Sequence, residues 1–251
     1  MGFKPTGSVN IPFGCFRVIY RMKYINASIR HFVYAYLLVR IRRHQYGVEM
    51  KTIVLHTPKG GSGKSTLARE IATMAARSGV STALADLDPQ GTTAGWYQRR
   101  QSADPALVEL ESAPFSAKIA SLARAELGLL VIDTPPAQPP FLPALLAAAD
   151  LVLVPVRPTP DDLLAAAPIA RSLAQHPLWV FVLSQVPPRT RMLASAVRQL
   201  AAIGRVAPMQ ITFRADYPAA AIDGSAAAEL TGKAAEESAE LFRYIQTLIE
   251  D

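Results

Sequence analysis

Residues Lys59 to Thr66 read Lys-Gly-Gly-Ser-Gly-Lys-Ser-Thr, directly after the apolar run Thr52-Ile53-Val54-Leu55. Those residue types at that spacing suit one task, holding a chain of phosphates. Glycines let the backbone curl so that successive N–H groups point inward, the helix that follows offers its positive end, and Lys64 adds a mobile cation for terminal phosphates. The expected ligand is a nucleoside triphosphate. The loop is unusual in two respects: Pro58 stands where the common G-x-x-x-x-G-K-[ST] pattern has glycine, and a second lysine, Lys59, lies inside it.

Acids stand at two other places where apolar runs end. Asp133 closes Leu129-Leu130-Val131-Ile132 and precedes Thr134-Pro135-Pro136, which sets a carboxylate at a strand tip of the kind that organises magnesium. Asp86-Leu87-Asp88-Pro89-Gln90-Gly91 puts two carboxylates one residue apart, either able to orient a water. Each is also a plausible cap or turn alone. Together with the glycine loop, in this order, they form a strong pattern. His31, His44, His56 and His176 have no metal-ligand spacing.

The elements that must position these groups follow from periodicity. After Met50, strands are expected near 51–56, 81–86, 129–133, 151–156 and 179–183, with helices near 64–78, 138–148, 161–174, 190–203 and 233–249. The alternation predicts an α/β fold with a doubly wound, mostly parallel sheet and helices on both faces. Leu129–Ile132 and Leu151–Val154 are continuously apolar, as strands covered on both sides must be. Ligands of such sheets gather at the carboxyl ends of the strands, where the acids and the glycine loop fall.

Half of the 251 residues are hydrophobic, enough for a sizeable core, and the net charge is +6. Residues 1–49 carry eight basic side chains and one acid, +7, whereas 50–251 carry 18 and 19, −1. The basic character therefore says little about the main domain. A boundary is expected near Met50, with 1–49 a basic, aromatic-rich extension and 50–251 the functional domain. Either Met50 is the true initiator, or the extension is an arm that touches nucleic acid or an anionic membrane through Arg40, Arg42 and Arg43. The single Cys15 excludes a disulfide or a four-cysteine metal site within the chain and fits a cytoplasmic home. The apolar stretch 31–39 is far shorter than the roughly 20 residues of a spanning helix.

Through Lys59–Thr66, Asp86–Gly91 and Ile132-Asp133-Thr134-Pro135-Pro136, the stretch from about 50 to 250 resembles the ParA and MinD family of deviant P-loop ATPases. Asp-Pro-Gln-Gly followed by Trp96 is more similar to the ParA branch, in its short form. The resemblance implies ATP and Mg²⁺ as cofactors, with Gly60, Gly61, Ser62, Gly63, Lys64, Ser65 and Thr66 around the nucleotide. Lys64 would bind the β- and γ-phosphates, Ser65 and Asp133 would serve the metal, and Asp88 would position water. Lys59 would act in trans, reaching the nucleotide of the partner in an ATP-bound homodimer. The stretch Phe213–Pro218 resembles the region near the base.

The same resemblance implies plasmid or chromosome partition, non-specific DNA binding in the ATP state, a ParB-like centromere-binding partner and a nucleoid-associated location. Arg189, Arg191, Arg198 and Arg205 are the candidate DNA contacts, the last three recurring every seven residues as on one helical face. A solvated face is the plainer account of them. A MinD-like basic membrane helix is not expected at the C-terminus, because 232–251 holds two basic and five acidic side chains around the stripe Leu241, Phe242, Ile245, Leu248, Ile249. The alternative reading is an ATP-gated adaptor for conjugation or protein positioning, with little turnover.

Overall fold

The computed structural model describes residues 50–110, 115–125 and 127–250, so the expected extension over 1–49 lies outside the described residues. In chain order the elements are β1 (Lys51–Leu55), α1 (Lys64–Arg77), β2 (Thr82–Asp86), α2 (Thr92–Arg99), β3 (Ala106–Leu107), α3 (Phe115–Arg124), β4 (Leu129–Asp133) and α4 (Leu142–Ala148). They continue with β5 (Leu151–Val156), α5 (Pro160–Ser172), β6 (Trp179–Val186), α6 (Leu193–Ala201), β7 (Val206–Thr212), α7 (Asp216–Ala220), a 3-10 turn (Ala227–Glu229) and α8 (Lys233–Glu250).

The seven strands form one sheet in the order β3-β2-β4-β1-β5-β6-β7, every pair parallel. Side chains alternate across it. Val54, Leu130, Ile132, Val152 and Val154 face one buried layer with α3, α4, α5 and α6, while Ile53, Leu55, Val131, Leu151 and Leu153 face the other with α1 and α8. That is why the central strands read as unbroken apolar runs. Leu241, Phe242 and Ile245 are buried in the second layer, so the C-terminal stripe packs against the sheet.

Register brings the chemistry together. Leu55 pairs with Asp133 and Asp133 with Asp86, so the tips of β1, β4 and β2 end level and deliver the glycine loop and both acid motifs to one edge. Three departures from the expected elements matter. The helix expected over 190–203 spans Leu193–Ala201. The helix expected over 138–148 begins at Leu142, with Pro143 in its first turn. Strand β6 runs past 183 to Val186, with register irregularities against β7 on both sides of Leu183.

Candidate functional site

The glycine loop joins β1 to α1. Gly61 (φ 69°) and Gly63 (φ 94°) both adopt left-handed backbone, which other residues take only with strain, and Gly63 caps α1 with its carbonyl accepting from the Leu67 amide at 2.9 Å. No acid occupies the first turn of α1, so its positive end is uncompensated toward the loop. Lys64 is buried, and its Nζ donates to the Lys59 carbonyl at 3.2 Å. Burial pushes its pKa down, against the opposing pull of Asp133 and Asp88. A desolvated ammonium at a helix N-terminus is suited to polyanionic oxygen.

Two neighbours that the sequence did not single out brace the loop. Ser184 Oγ donates to the Ser62 carbonyl at 2.6 Å and Gln185 Nε2 to the Gly61 carbonyl at 2.6 Å, both from the irregular end of β6. The left-handed backbone of Gln185 (φ 50°) was invisible in the sequence, since Gln carries no turn signal.

Asp133 is fully buried at the tip of β4. Its Oδ2 accepts from the Thr93 hydroxyl at 2.8 Å, whereas Oδ1 is buried without a hydrogen-bond partner among the described residues. Burial pushes its carboxyl up to about 6, with Asp86 adding to the rise and Ser65, Thr93 and Lys64 opposing it. An orphaned carboxylate oxygen beside the Ser65 hydroxyl is a donor set that fits a hard divalent cation.

The two acids of Asp86–Gly91 have different tasks. Asp86 accepts from the backbone amides of Asp88 at 3.0 Å and of Thr93 and Ala94 at 2.9 Å each, so it caps α2 and shapes the turn. Asp88 accepts from the Gln90 amide through Oδ1 and is half-buried, with its charge acting on Lys64. Of the pair, Asp88 is the one whose charge acts on Lys64.

Lys59 is not merely solvated. Its Nζ lies 3.5 Å from Asp162 Oδ1 in the same chain, and Arg157 also grips Asp162 through Nε and Nη2. Asp162 and Asp161 occupy the first turn of α5 behind Pro160, with Thr159 as the cap. The additional role of Asp162 had no signal in the sequence, because Lys59 reaches it from the end of a different strand, β1. Burial acts to raise the Asp162 pKa, but Arg157 and then Lys59 outweigh it and hold the carboxyl low.

Beside the loop, a cavity of about 200 Å³ is lined by Gly63 of the loop, by Thr66 and Leu67 on α1 and by residues from the ends of β6 and β7 and from α7, including Phe213, Arg214 and Pro218. The stretch Phe213–Pro218 thus lies against the phosphate loop. Among the four candidate arginines, all exposed, Arg198 alone is on α6; Arg191 precedes it and Arg205 lies just before β7. The seven-residue spacing therefore does not place them on one helix. They sit on three successive segments instead: Arg189 and Arg191 between β6 and α6, Arg198 on α6, and Arg205 just before β7.

A wholly parallel sheet with a glycine-rich phosphate loop between its central strand and first helix, and an acid on the adjacent strand tip, defines a P-loop nucleoside triphosphatase. Residues 53–227 match the CobQ/CobB/MinD/ParA nucleotide binding domain, and the chain belongs to that family as a ParA/MinD-type P-loop ATPase. It is 25% identical over 208 residues to maintenance of carboxysome distribution protein A of Halothiobacillus neapolitanus, covering 79% of this chain and 96% of that one. The fold resembles McdA of Cyanothece in an ATP complex (TM-score 0.61, 18% identity, 81% of this chain and 98% of that one). It is also similar to a Borrelia burgdorferi protein described as a plasmid partition protein, bound to AMPPNP (TM-score 0.62, 16% identity, 79% and 99%).

Proposed function

We propose that this protein is a MgATP-dependent, dimerising ATPase of the short ParA type that segregates or positions an intracellular cargo. The observation that carries the reading is the presence of two differently placed lysines in one phosphate loop. Lys64 is buried and folded over its own loop, while Lys59 is about one-third exposed at the rim, on Asp162.

In this reading the amides of Gly60 to Thr66 cradle the phosphates, Lys64 neutralises the terminal ones, and the base enters the cavity bordered by Phe213–Pro218. Ser65 and Asp133 hold the magnesium ion, which when bound draws charge from the phosphate oxygens. Asp88 orients the attacking water. Lys59 leaves Asp162 and reaches the nucleotide of a second subunit, supplying positive charge where negative charge grows during phosphoryl transfer. Because the triphosphate then forms part of the interface, ATP favours the homodimer and hydrolysis, weak until a partner stimulates it, dissolves it.

The cargo reading has two forms. Partition of a plasmid or chromosome would use non-specific DNA binding in the ATP state, through Arg189, Arg191, Arg198 and Arg205 doubled by dimerisation, with a ParB-like partner and a nucleoid-associated location. Positioning of a protein body, by an ATP-gated adaptor with little turnover, is supported by the likeness to carboxysome distribution protein A. Among the described residues no helix is long and apolar enough to cross a membrane. ATP-dependent DNA binding that weakens steeply with salt, and that falls when Arg191 and Arg198 become Ala, tests the first form. DNA binding indifferent to ATP would count against it.

A further inference from the structure

The end of β6 is built in a way that phosphate binding alone does not require. Register irregularities flank Leu183, and Gln185 adopts a left-handed backbone (φ 50°) with no glycine to relieve it. The result is that the Gln185 side chain turns over the loop, where Nε2 donates to the Gly61 carbonyl at 2.6 Å while the residue lines the adjacent cavity.

That bond orients the carboxamide by chemistry. A carbonyl oxygen only accepts, so the amide nitrogen must face Gly61, and Oε1 is left as an acceptor with no protein donor among the described residues. Several other polar groups lining the cavity are held by protein partners, Thr66 Oγ1 among them, which accepts from Arg69 Nη2 at 3.3 Å. The Ser184 hydroxyl donates to Ser62, the Tyr217 hydroxyl contacts Ala234 and Glu237, and the Arg214 guanidinium is held by Glu237.

We infer that Gln185 is a specificity-determining residue for the nucleotide base, its anchored carboxamide accepting a hydrogen bond from the exocyclic amine of a 6-aminopurine. This rests on the nucleotide reading above and deepens it. A 6-oxopurine sets a carbonyl where adenine has its amine, and two acceptors facing each other repel. Ser184, whose hydroxyl is spent on the loop, contributes to phosphate binding without regard to the base.

The test is equilibrium binding of ATP, ITP and GTP to the full chain with Mg²⁺. ITP carries the 6-oxo group without the 2-amino group of GTP and so isolates the position in question. The wild type is expected to prefer ATP over ITP by about tenfold, the order of one hydrogen bond and its lost partner. Gln185→Met should bring that ratio close to one. Gln185→Gly, which a left-handed backbone accepts without strain, should do the same and guards against a folding defect. Ser184→Ala should weaken ATP and ITP by the same factor and keep the ratio. An unchanged ATP/ITP ratio in both Gln185 variants overturns the inference and leaves the nucleotide reading intact. A wild type that binds none of the three nucleotides overturns both.

Discussion

Two buried groups beside the phosphate loop titrate with opposite signs. His56 is held down to about 4 from an ordinary 6.5, by burial first and by the Lys64 charge second. Between those values the unfolded chain binds a proton that the folded chain refuses, so stability falls as pH drops through that window. Asp133, raised from 3.8 to about 6, does the reverse: the folded chain takes the proton first, and stability is gained as pH falls from about 6 toward 3.8. In metal-free protein, His56→Gln should therefore raise the denaturation midpoint at about pH 5 relative to about pH 7.5, and Asp133→Asn should lower it. Equal pH profiles for the two variants would contradict these assignments. A second prediction concerns Asp162, buried between Arg157 and Lys59. Asp162→Ala leaves both cations without their carboxylate and should cost about 1–2 kcal/mol in urea unfolding, less than for a fully buried pair because both cations are partly solvated. Lys64, Asp88 and Asp133 were legible because their residue types sit in local patterns. Asp162, Ser184 and Gln185 were not, since Lys59 and the loop carbonyls that they meet are distant in sequence and come within reach only when parallel strands end at one edge.

The element most directly tied to the site is α2. Asp86 binds two of its first amides, Thr93 on its first turn donates to Asp133, and Trp96 is buried between α1 and the C-terminal segment. The Trp96 indole donates to the Ser225 carbonyl at 2.8 Å and lies near the Arg69 and Arg100 guanidinium groups, at 5.8 and 4.9 Å. Asp86→Ala should destabilise the chain by roughly 1–2 kcal/mol, the cost of a lost cap, and Asp86→Asn by less, since its amide oxygen still accepts. Urea titration followed by Trp fluorescence measures both; equal stability of wild type and Asp86→Ala would remove the capping role. The regular interior of the sheet could be read from composition, whereas β3, β7, α2, α3, α7 and the 3-10 turn could not. β3 has two residues, α2 has eight with Gly95 inside, β7 is irregular in its burial and contains Pro208, and α3 joins the layer mainly through Ile119 and Ala123. Short or interrupted elements take their form from what they pack against, and a local window sees little of that.

At the scale of the molecule, both faces of the sheet are covered by helices drawn from residues 50–250, and β1 is paired on both sides, by β4 and β5. A chain begun at Met50 is therefore expected to unfold cooperatively at the same temperature as the full chain, within about 2 °C. A large drop on removing 1–49 would show that the core depends on them. Beyond the single chain, the account turns on the division of labour between the two lysines of the phosphate loop. The most direct measurement is the molecular mass in solution, by sedimentation with Mg²⁺ and a non-hydrolysable ATP analogue, of the wild type, Lys59→Ala and Lys64→Ala, each with its nucleotide affinity determined in parallel. The expected result is a dimer for the wild type, a monomer that still binds nucleotide for Lys59→Ala, and loss of nucleotide binding itself for Lys64→Ala. A Lys59→Ala protein that dimerises and hydrolyses ATP as the wild type does would contradict it.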